Sequence, residues 1–291
     1  MTRDLHHKKY EISQMSLTEL RYVFEWARSE GWNPCMGDVE AIYAMDSDGF
    51  YVCKDQGRIV GSISAVIYDR AYAFIGLLIV DQAYRGGMML RELLEAVCSR
   101  IRSKGIQSAG CDGVLENVRK YERLGFELAY MQARFVYVVH GTETICSECS
   151  LVQQADYEEV QSFVRQYEPE LRKGMVRRWH EDAGAKGYMV HDGNGEIIGY
   201  GAVRKACEGY RVGPLYAVDN VAAKKLLMSL ISLVPKNERV QIDVPEVNSD
   251  GIEMVKQMGM QKKWQLGRMY YGMWPQVDVN GIFGVWSAEV G

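Results

Sequence analysis

Val80-Asp81-Gln82-Ala83-Tyr84-Arg85-Gly86-Gly87-Met88-Met89-Leu90 is the stretch on which the reading of this chain turns. Residues 73–80 are almost wholly apolar and carry Phe, Ile and Val, the pattern of a strand buried on both faces. After the glycine pair, Leu90, Leu93, Leu94 and Val97 recur at helical spacing. A strand that feeds a glycine turn into a helix brings free backbone N–H groups and the positive end of the helix dipole together. Such a place suits an anion. Gly86 and Gly87 leave room for a phosphate, and Arg85 adds a cation matched to phosphate oxygens. The competing reading is a tight turn that needs glycine for its backbone angles alone, and this stretch by itself does not decide between the two.

Upstream, residues 10–15 read as an edge strand. Ser16-Leu17-Thr18-Glu19 has capping-box spacing, and the helix it opens puts Leu20, Val23, Phe24 and Ala27 on one face. Glu30-Gly31-Trp32-Asn33-Pro34 breaks that helix, and 38–45 reads as a second short one. Residues 50–54 and 58–68, joined by Asp55-Gln56-Gly57, form a hairpin, and Asp69-Arg70 turns the chain into the 73–80 strand. Downstream the spacing predicts a helix to about 104, a strand at 106–111, a helix at 115–124 closed by Gly125, and a long strand at 126–139.

The second half follows the same plan. Strands are expected at 144–152, 188–190, 196–205, 211–218, 240–244 and 265–273, and helices at 155–166, 221–234 and 249–258. Gly61 and Gly125 are separated by nearly as many positions as Gly199 and Gly259. Two tandem α/β units are expected, 1–141 and 142–291, joined near Gly141. Comparing them bears on function. Where the first has Tyr84-Arg85-Gly86-Gly87, the second has Asp219-Asn220-Val221-Ala222-Ala223, without glycine or cation, and Asp219 would repel a phosphate. Tyr121, four places before Gly125, is matched by Val255 before Gly259. The anion loop therefore belongs to the first unit.

A net charge of −4 and a pI of about 5.8 argue against a polyanionic partner. The Arg172-Lys173 and Arg177-Arg178 pairs lie among Glu168, Glu170, Glu181 and Asp182, as on the solvated face of a short helix. No apolar run is long enough to span a membrane, and Met1-Thr2-Arg3-Asp4-Leu5-His6-His7-Lys8-Lys9 lacks the apolar core of a signal peptide, so a cytoplasmic location is expected. Seven scattered cysteines fit a reducing compartment, and the Cys146/Cys149 pair reads as two ordinary thiols rather than a metal or redox site.

The chain resembles the GNAT superfamily of acyl-CoA-dependent N-acyltransferases, in particular two-domain members with a degenerate second domain. In the first half the likeness rests on Glu30-Gly31-Trp32-Asn33-Pro34, Phe74-Ile75-Gly76, Val80 with Tyr84-Arg85-Gly86, Asp112-Gly113-Val114, Tyr121-Glu122-Arg123-Leu124-Gly125-Phe126 and Arg134. In the second it rests on Val212-Gly213-Pro214-Leu215-Tyr216-Ala217, Ile242-Asp243-Val244-Pro245 with Asn248, Arg268-Met269-Tyr270 and Ile282-Phe283-Gly284-Val285. The resemblance implies a mixed α/β fold of two tandem GNAT-like domains, each a mainly antiparallel sheet flanked by helices.

It further implies acetyl-CoA as acyl donor, a small-molecule amine or amino acid as acceptor, no nucleic acid or membrane partner, and a monomer or homodimer. The family's loop pattern sets Arg85 first and puts Met88 and Leu90 where the family has two small residues, a departure from the pattern. The cofactor is then expected along Arg85, Gly86, Gly87, Met88, Met89 and Leu90, along the backbone of Leu78, Ile79 and Val80, and beside Asn117 and Tyr121. Tyr121 falls where the family places its general acid, and a phenol near pKa ~10 stays protonated at neutral pH as that role requires. Asp112 is a candidate base, with a water relay as an equal alternative and helix capping as its other reading. Glu30, Trp32 and Asn33 lie on the acceptor side, and Arg177, Arg178, Trp179 and His180 are candidate contributions from the second half. The rival expectation is a non-catalytic ligand-sensing or protein-interaction module of the same fold.

Overall fold

The structure is a computed structural model that describes residues 10–68, 71–168 and 174–291; the first nine residues, the Asp69-Arg70 turn, Glu170 and the Arg172-Lys173 pair lie outside them. The first half runs β1 (Glu11–Gln14), α1 (Leu17–Ser29), α2 (Asp38–Met45), β2 (Phe50–Asp55), β3 (Arg58–Tyr68), β4 (Tyr72–Val80), α3 (Met89–Ser103), β5 (Ser108–Val114), α4 (Leu115–Glu122) and β6 (Phe126–Val138). Local chemistry sets most of these bounds. Ser16 and Glu19 form the capping box of α1, which buries Leu20, Val23, Phe24 and Ala27. Gln56 and Gly57, both left-handed, make the tight β2–β3 turn.

The second half runs β7 (Cys149–Leu151), α5 (Tyr157–Val164), α6 (Met175–Glu181), β8 (Lys186–His191), β9 (Ile197–Lys205), β10 (Tyr210–Ala217), α7 (Asn220–Ile231), β11 (Arg239–Pro245), α8 (Ser249–Gln257), β12 (Gln261–Gly272) and β13 (Ile282–Gly284). The strand expected at 144–152 shrinks to β7 because Glu143 folds the join. Its carboxylate accepts the N–H groups of His140, Gly141 and Thr142 at 2.9, 2.8 and 3.0 Å and the Tyr137 hydroxyl at 2.7 Å. Those bonds outweigh partial burial and hold its pKa down at about 2. Because the folded value lies below the unfolded one, the contribution is complete above the ordinary Glu pKa and fades as pH falls toward about 2. Melting curves of the wild type and Glu143→Gln are therefore expected to diverge at neutral pH and converge in acid.

The strands form one sheet in the order β1-β2-β3-β4-β5-β12-β6-β11-β10-β9-β8-β7, with β13 added against β10. Among the described residues only β4–β5 and β10–β11 are parallel, so each half is mixed and mainly antiparallel. The halves exchange their last long strand: β12 lies between β5 and β6, and β6 lies between β12 and β11. Each exchanged strand covers an edge the other half would otherwise leave unpaired.

Reciprocal ion pairs lock this exchange. Asp112 of β5 faces Arg268 of β12 in register and accepts from its Nε and Nη2 at 2.6 and 3.0 Å. Asp243 of β11 faces Arg134 of β6 and accepts from its Nε and Nη2 at 2.6 and 2.7 Å. Arg211–Glu289 and the bidentate Arg204–Asp38 pair add two more buried bridges across the molecule. Two-pronged geometry is what offsets the desolvation of such charges. Burial opposes the Arg268 charge, yet Asp112 holds its guanidinium protonated. Against the cost of burial, Arg134 and Arg211 keep the Asp243 carboxyl below its usual range, whereas burial outweighs the single arginine at Asp112 and pushes that carboxyl up.

Residues 282–291 thread between the halves. β13 pairs with β10, and Val285 N–H donates to the Asp243 carbonyl. A Cβ on Gly213 would lie 2.3 Å from the Val285 carbonyl oxygen, and one on Gly76 would lie 2.2 Å from that of Glu289. These two glycines, at corresponding places in β10 and β4, admit the segment on both sides. No helix among the described residues is long and apolar enough to cross a membrane.

Candidate active site

The site begins where β4 leaves β5. Their parallel pairing covers Tyr72–Ile75 against Ser108–Cys111 and ends there, while β4 stays paired with β3 up to Val80. Between Gly76 and Ile79 the register gains one residue, and Leu77 takes a left-handed φ of 50°, with its carbonyl held by the Ser62 hydroxyl at 2.7 Å. A leucine in that region is strained and marks a built bulge. It opens the backbone of Leu78, Ile79 and Val80 along one wall of a cleft of about 470 Å³.

Arg85, Gly86, Gly87 and Leu90 form the next wall. Gly86 has a φ of 82°, which its lack of a side chain allows. The N–H groups of Gly87, Met88, Met89 and Leu90 meet no acceptor among the described residues, at the N-terminus of the fifteen-residue α3. Met88 is 55% exposed and turns its side chain to solvent, so the departure at that position does not fill the loop; Leu90 does line the cleft. The Met89 side chain is buried beneath Gly61, where a Cβ would come within 2.8 Å of its sulfur, so only its backbone faces the loop.

Arg85 is not the free cation the sequence suggested. Its Nε donates to the Val80 carbonyl at 2.8 Å, and its Nη2 to both Glu30 oxygens at 3.0 and 3.1 Å. Glu30, expected to meet an amine, is thus tied to Arg85 across the cleft mouth. Asn33 does not line this cleft: its amide donates to the Glu208 carbonyl at 2.9 Å and its oxygen accepts the Glu208 N–H at 2.7 Å, latching the loop to the second half. Trp32 remains on the cleft, its carbonyl held by Arg134 at 2.8 Å and Arg211 at 3.4 Å.

Asn117 and Tyr121, both on α4, form the opposite wall with Lys120 and Val114. Tyr121 packs against Gly113, where a Cβ would sit 3.1 Å from its ring, and edge-on to Phe126. Its hydroxyl bonds to no group among the described residues, and burial pushes the phenol pKa well up. Behind it the cleft narrows into a cavity of about 50 Å³ bounded by Leu77, Trp264, Leu266 and Ala288. Trp264 lines both spaces, and no local signal reveals it: it comes from β12, a strand of the other half.

Asp112, the expected base, borders this cavity, but its side chain is wholly buried in the pair with Arg268 and also accepts from the Gln132 amide at 2.6 Å. The same pairing recurs at Asp243, in the half without the cleft, which gives Asp112 a structural position. Nor does it cap α4, whose N-cap is Val114. Arg177 and Arg178 form i,i+4 pairs with Glu181 and Asp182, Trp179 is core against Trp286, and His180 is hydrogen-bonded to Ala185 and Tyr200; none of the four lines the cleft.

The corresponding place in the second half is closed twice over. The Asp219 carboxylate accepts the Ala222 N–H at 2.8 Å, covering the α7 N-terminus, and β13 fills the gap beside β10. Asp219→Ala is expected to cost ~1 kcal/mol of stability, read from urea unfolding, without creating a second anion site. The free Cys146 and Cys149 thiols are half-buried, and no cluster suited to a metal ion occurs among the described residues.

A splayed β4–β5 pair, a bulged wall and an open row of helix amides thus frame one cleft on the first half. Residues 17–126 match the model of the Acetyltransferase (GNAT) family, and residues 160–284 that of the Acetyltransferase (GNAT) domain. The chain belongs to the GNAT family and is an acyltransferase by that membership. It is 30% identical over 286 residues to the holothin acyltransferase of Pseudoalteromonas sp. (strain SANK 73390), a match covering 98% of this chain and 96% of that one. Among solved structures, a Pyrococcus horikoshii protein superposes with a TM-score of 0.83 at 19% identity, over 100% of this chain and 99% of the other. A tandem GNAT protein from the clavulanic acid biosynthesis pathway does so with a TM-score of 0.65 at 15% identity, over 92% and 100%.

Proposed function

We propose that this chain transfers an acetyl group from acetyl-CoA to the amine of a small molecule or amino acid, at one site built on residues 1–141 and completed by Trp264 and Leu266 of β12. One observation carries this reading: a single cleft gathers Gly87 and Leu90, at a helix start whose amides meet no acceptor among the described residues, with the open backbone of Leu78–Val80 and the Tyr121 ring. The match to a holothin acyltransferase supports catalysis over ligand sensing.

Acetyl-CoA supplies a thioester whose carbonyl carbon the amine attacks as the thiolate departs. The α3 amides and helix dipole hold the diphosphate, and the exposed Met88 leaves them accessible. The β4 backbone orients the pantetheine arm and offers an N–H to the developing oxyanion. Tyr121, kept protonated by burial, would give its proton to the departing sulfur, while the proton shed by the attacking nitrogen passes to water in the cleft, from which the phenolate is restored.

Thiol release from acetyl-CoA, scanned over a panel of amines and amino acids, is expected to depend on a particular acceptor. If acetyl-CoA at millimolar concentration gave neither heat on titration nor a thermal shift, the reading would be overturned. Glu30→Gln is expected to release Arg85 toward the diphosphate and tighten CoA binding by up to about five-fold, the worth of an exposed ion pair.

A further inference from the structure

We infer that Ala288, delivered by the segment following β13, sets the length of acyl chain this enzyme accepts in the cavity behind Tyr121. The inference rests on the acyl-CoA reading of the cleft and adds which residues fix its donor specificity.

The cavity and the cleft share Trp32, Leu78, Val114, Asn117, Tyr121 and Trp264, so the cavity is the cleft's inner end. A thioester lying beside Leu78 and Tyr121 directs its acyl chain there. The surfaces awaiting it are apolar: Ile75, Leu77, Leu266 and Ala288. The one carboxylate on the boundary, Asp112, is saturated by Arg268 and Gln132. At about 50 Å³ the space takes roughly three to five water-sized groups, which admits acetyl, is filled to its limit by a butanoyl chain and stops well short of an octanoyl chain.

The Ala288 wall is fixed rather than loose. Its neighbour Glu289 is bound to Arg211 at 3.1 Å, the Glu289 carbonyl lies against Gly76, and the Val290 carbonyl accepts from the Tyr68 hydroxyl at 3.0 Å. Trp286, two residues back, is wholly buried against Trp179. A wall pinned on both sides cannot retreat from a longer chain, so side-chain size at 288 is read directly as cavity depth.

The test is calorimetric titration of the full chain with CoA, acetyl-CoA, butanoyl-CoA and octanoyl-CoA. The wild type is expected to bind CoA and acetyl-CoA, and octanoyl-CoA about ten-fold or more weakly, as misfitted methylenes in an apolar pocket require, with butanoyl-CoA in between. Ala288→Gly and Leu266→Ala should narrow the octanoyl penalty. Ala288→Val should weaken acetyl-CoA while leaving CoA itself unchanged, with an unaltered melting temperature. Equal affinity for all three thioesters in the wild type, or equal weakening of CoA and acetyl-CoA by Ala288→Val, would overturn the inference while leaving the cleft reading intact. Failure of CoA itself to bind would overturn both.

Discussion

Arg268→Ala is expected to lower stability by about 3–5 kcal/mol, the cost of leaving one member of a buried ion pair without its partner. Asp112 would lose two of its three hydrogen-bond donors and keep only the Gln132 amide, within a side-chain environment closed to solvent. The stacking of the Arg268 guanidinium over Phe74, at 5.2 Å, would be lost as well. Protonating Asp112 is the one relief available. Its folded pKa, already pushed up by burial, then rises further above the unfolded value, so the deficit should be smallest in acid and grow as pH rises. Urea unfolding at several pH values checks this. A double replacement, Arg268→Met with Asp112→Leu, should recover much of the loss, since apolar side chains of similar size need no partner. A deficit under about 1 kcal/mol for the single variant would mean that the bridge is not what locks the exchanged strand.

Tyr121→Phe is expected to reduce kcat about 10²–10⁴-fold, the usual worth of a positioned proton donor. The hydroxyl makes no bond within the described residues, so its removal breaks no structural contact, and the ring keeps its seat between Gly113 and Phe126. Stability and acetyl-CoA affinity should therefore hold while turnover falls, a separation that steady-state kinetics, melting and titration together can read. Unchanged turnover with an identified acceptor would remove Tyr121 from the chemistry.

Elements fixed by neighbouring residues are legible in the sequence. The Ser16/Glu19 box, the Asp38–Met45 helix, the Gln56-Gly57 turn and the first-half glycine loop all follow from contacts within a few positions. The repeat is legible too, and with it the asymmetry between Arg85-Gly86-Gly87 and Asp219. What lies beyond reach depends on partners far along the chain. Nothing near Arg85 announces that Glu30 will take its guanidinium, and nothing near Asp112 announces Arg268. The strand exchange that brings Trp264 to a first-half site follows from pairing between β12 and β5, which no local period encodes. Gly76 and Gly213 stand out as glycines, but their reason is the 285–289 backbone that presses against them. Leu77 carries no signal at all, because its left-handed backbone is imposed by the bulge rather than by its own preference.

The amide row of α3 is the feature on which the functional account depends, and Met88→Asp addresses it most directly. Met88 is the exposed N-cap of α3, with no side-chain bond to the helix, whereas Asp219 caps the corresponding helix of the second half. Transplanting that carboxylate should keep α3 at least as stable, because Asp is a favoured cap, while placing a negative charge on the amides. Calorimetric titration with acetyl-CoA is predicted to give one site per chain in the wild type and none in Met88→Asp at an equal or higher melting temperature. Two sites per chain, or undiminished binding by the variant, would contradict the account.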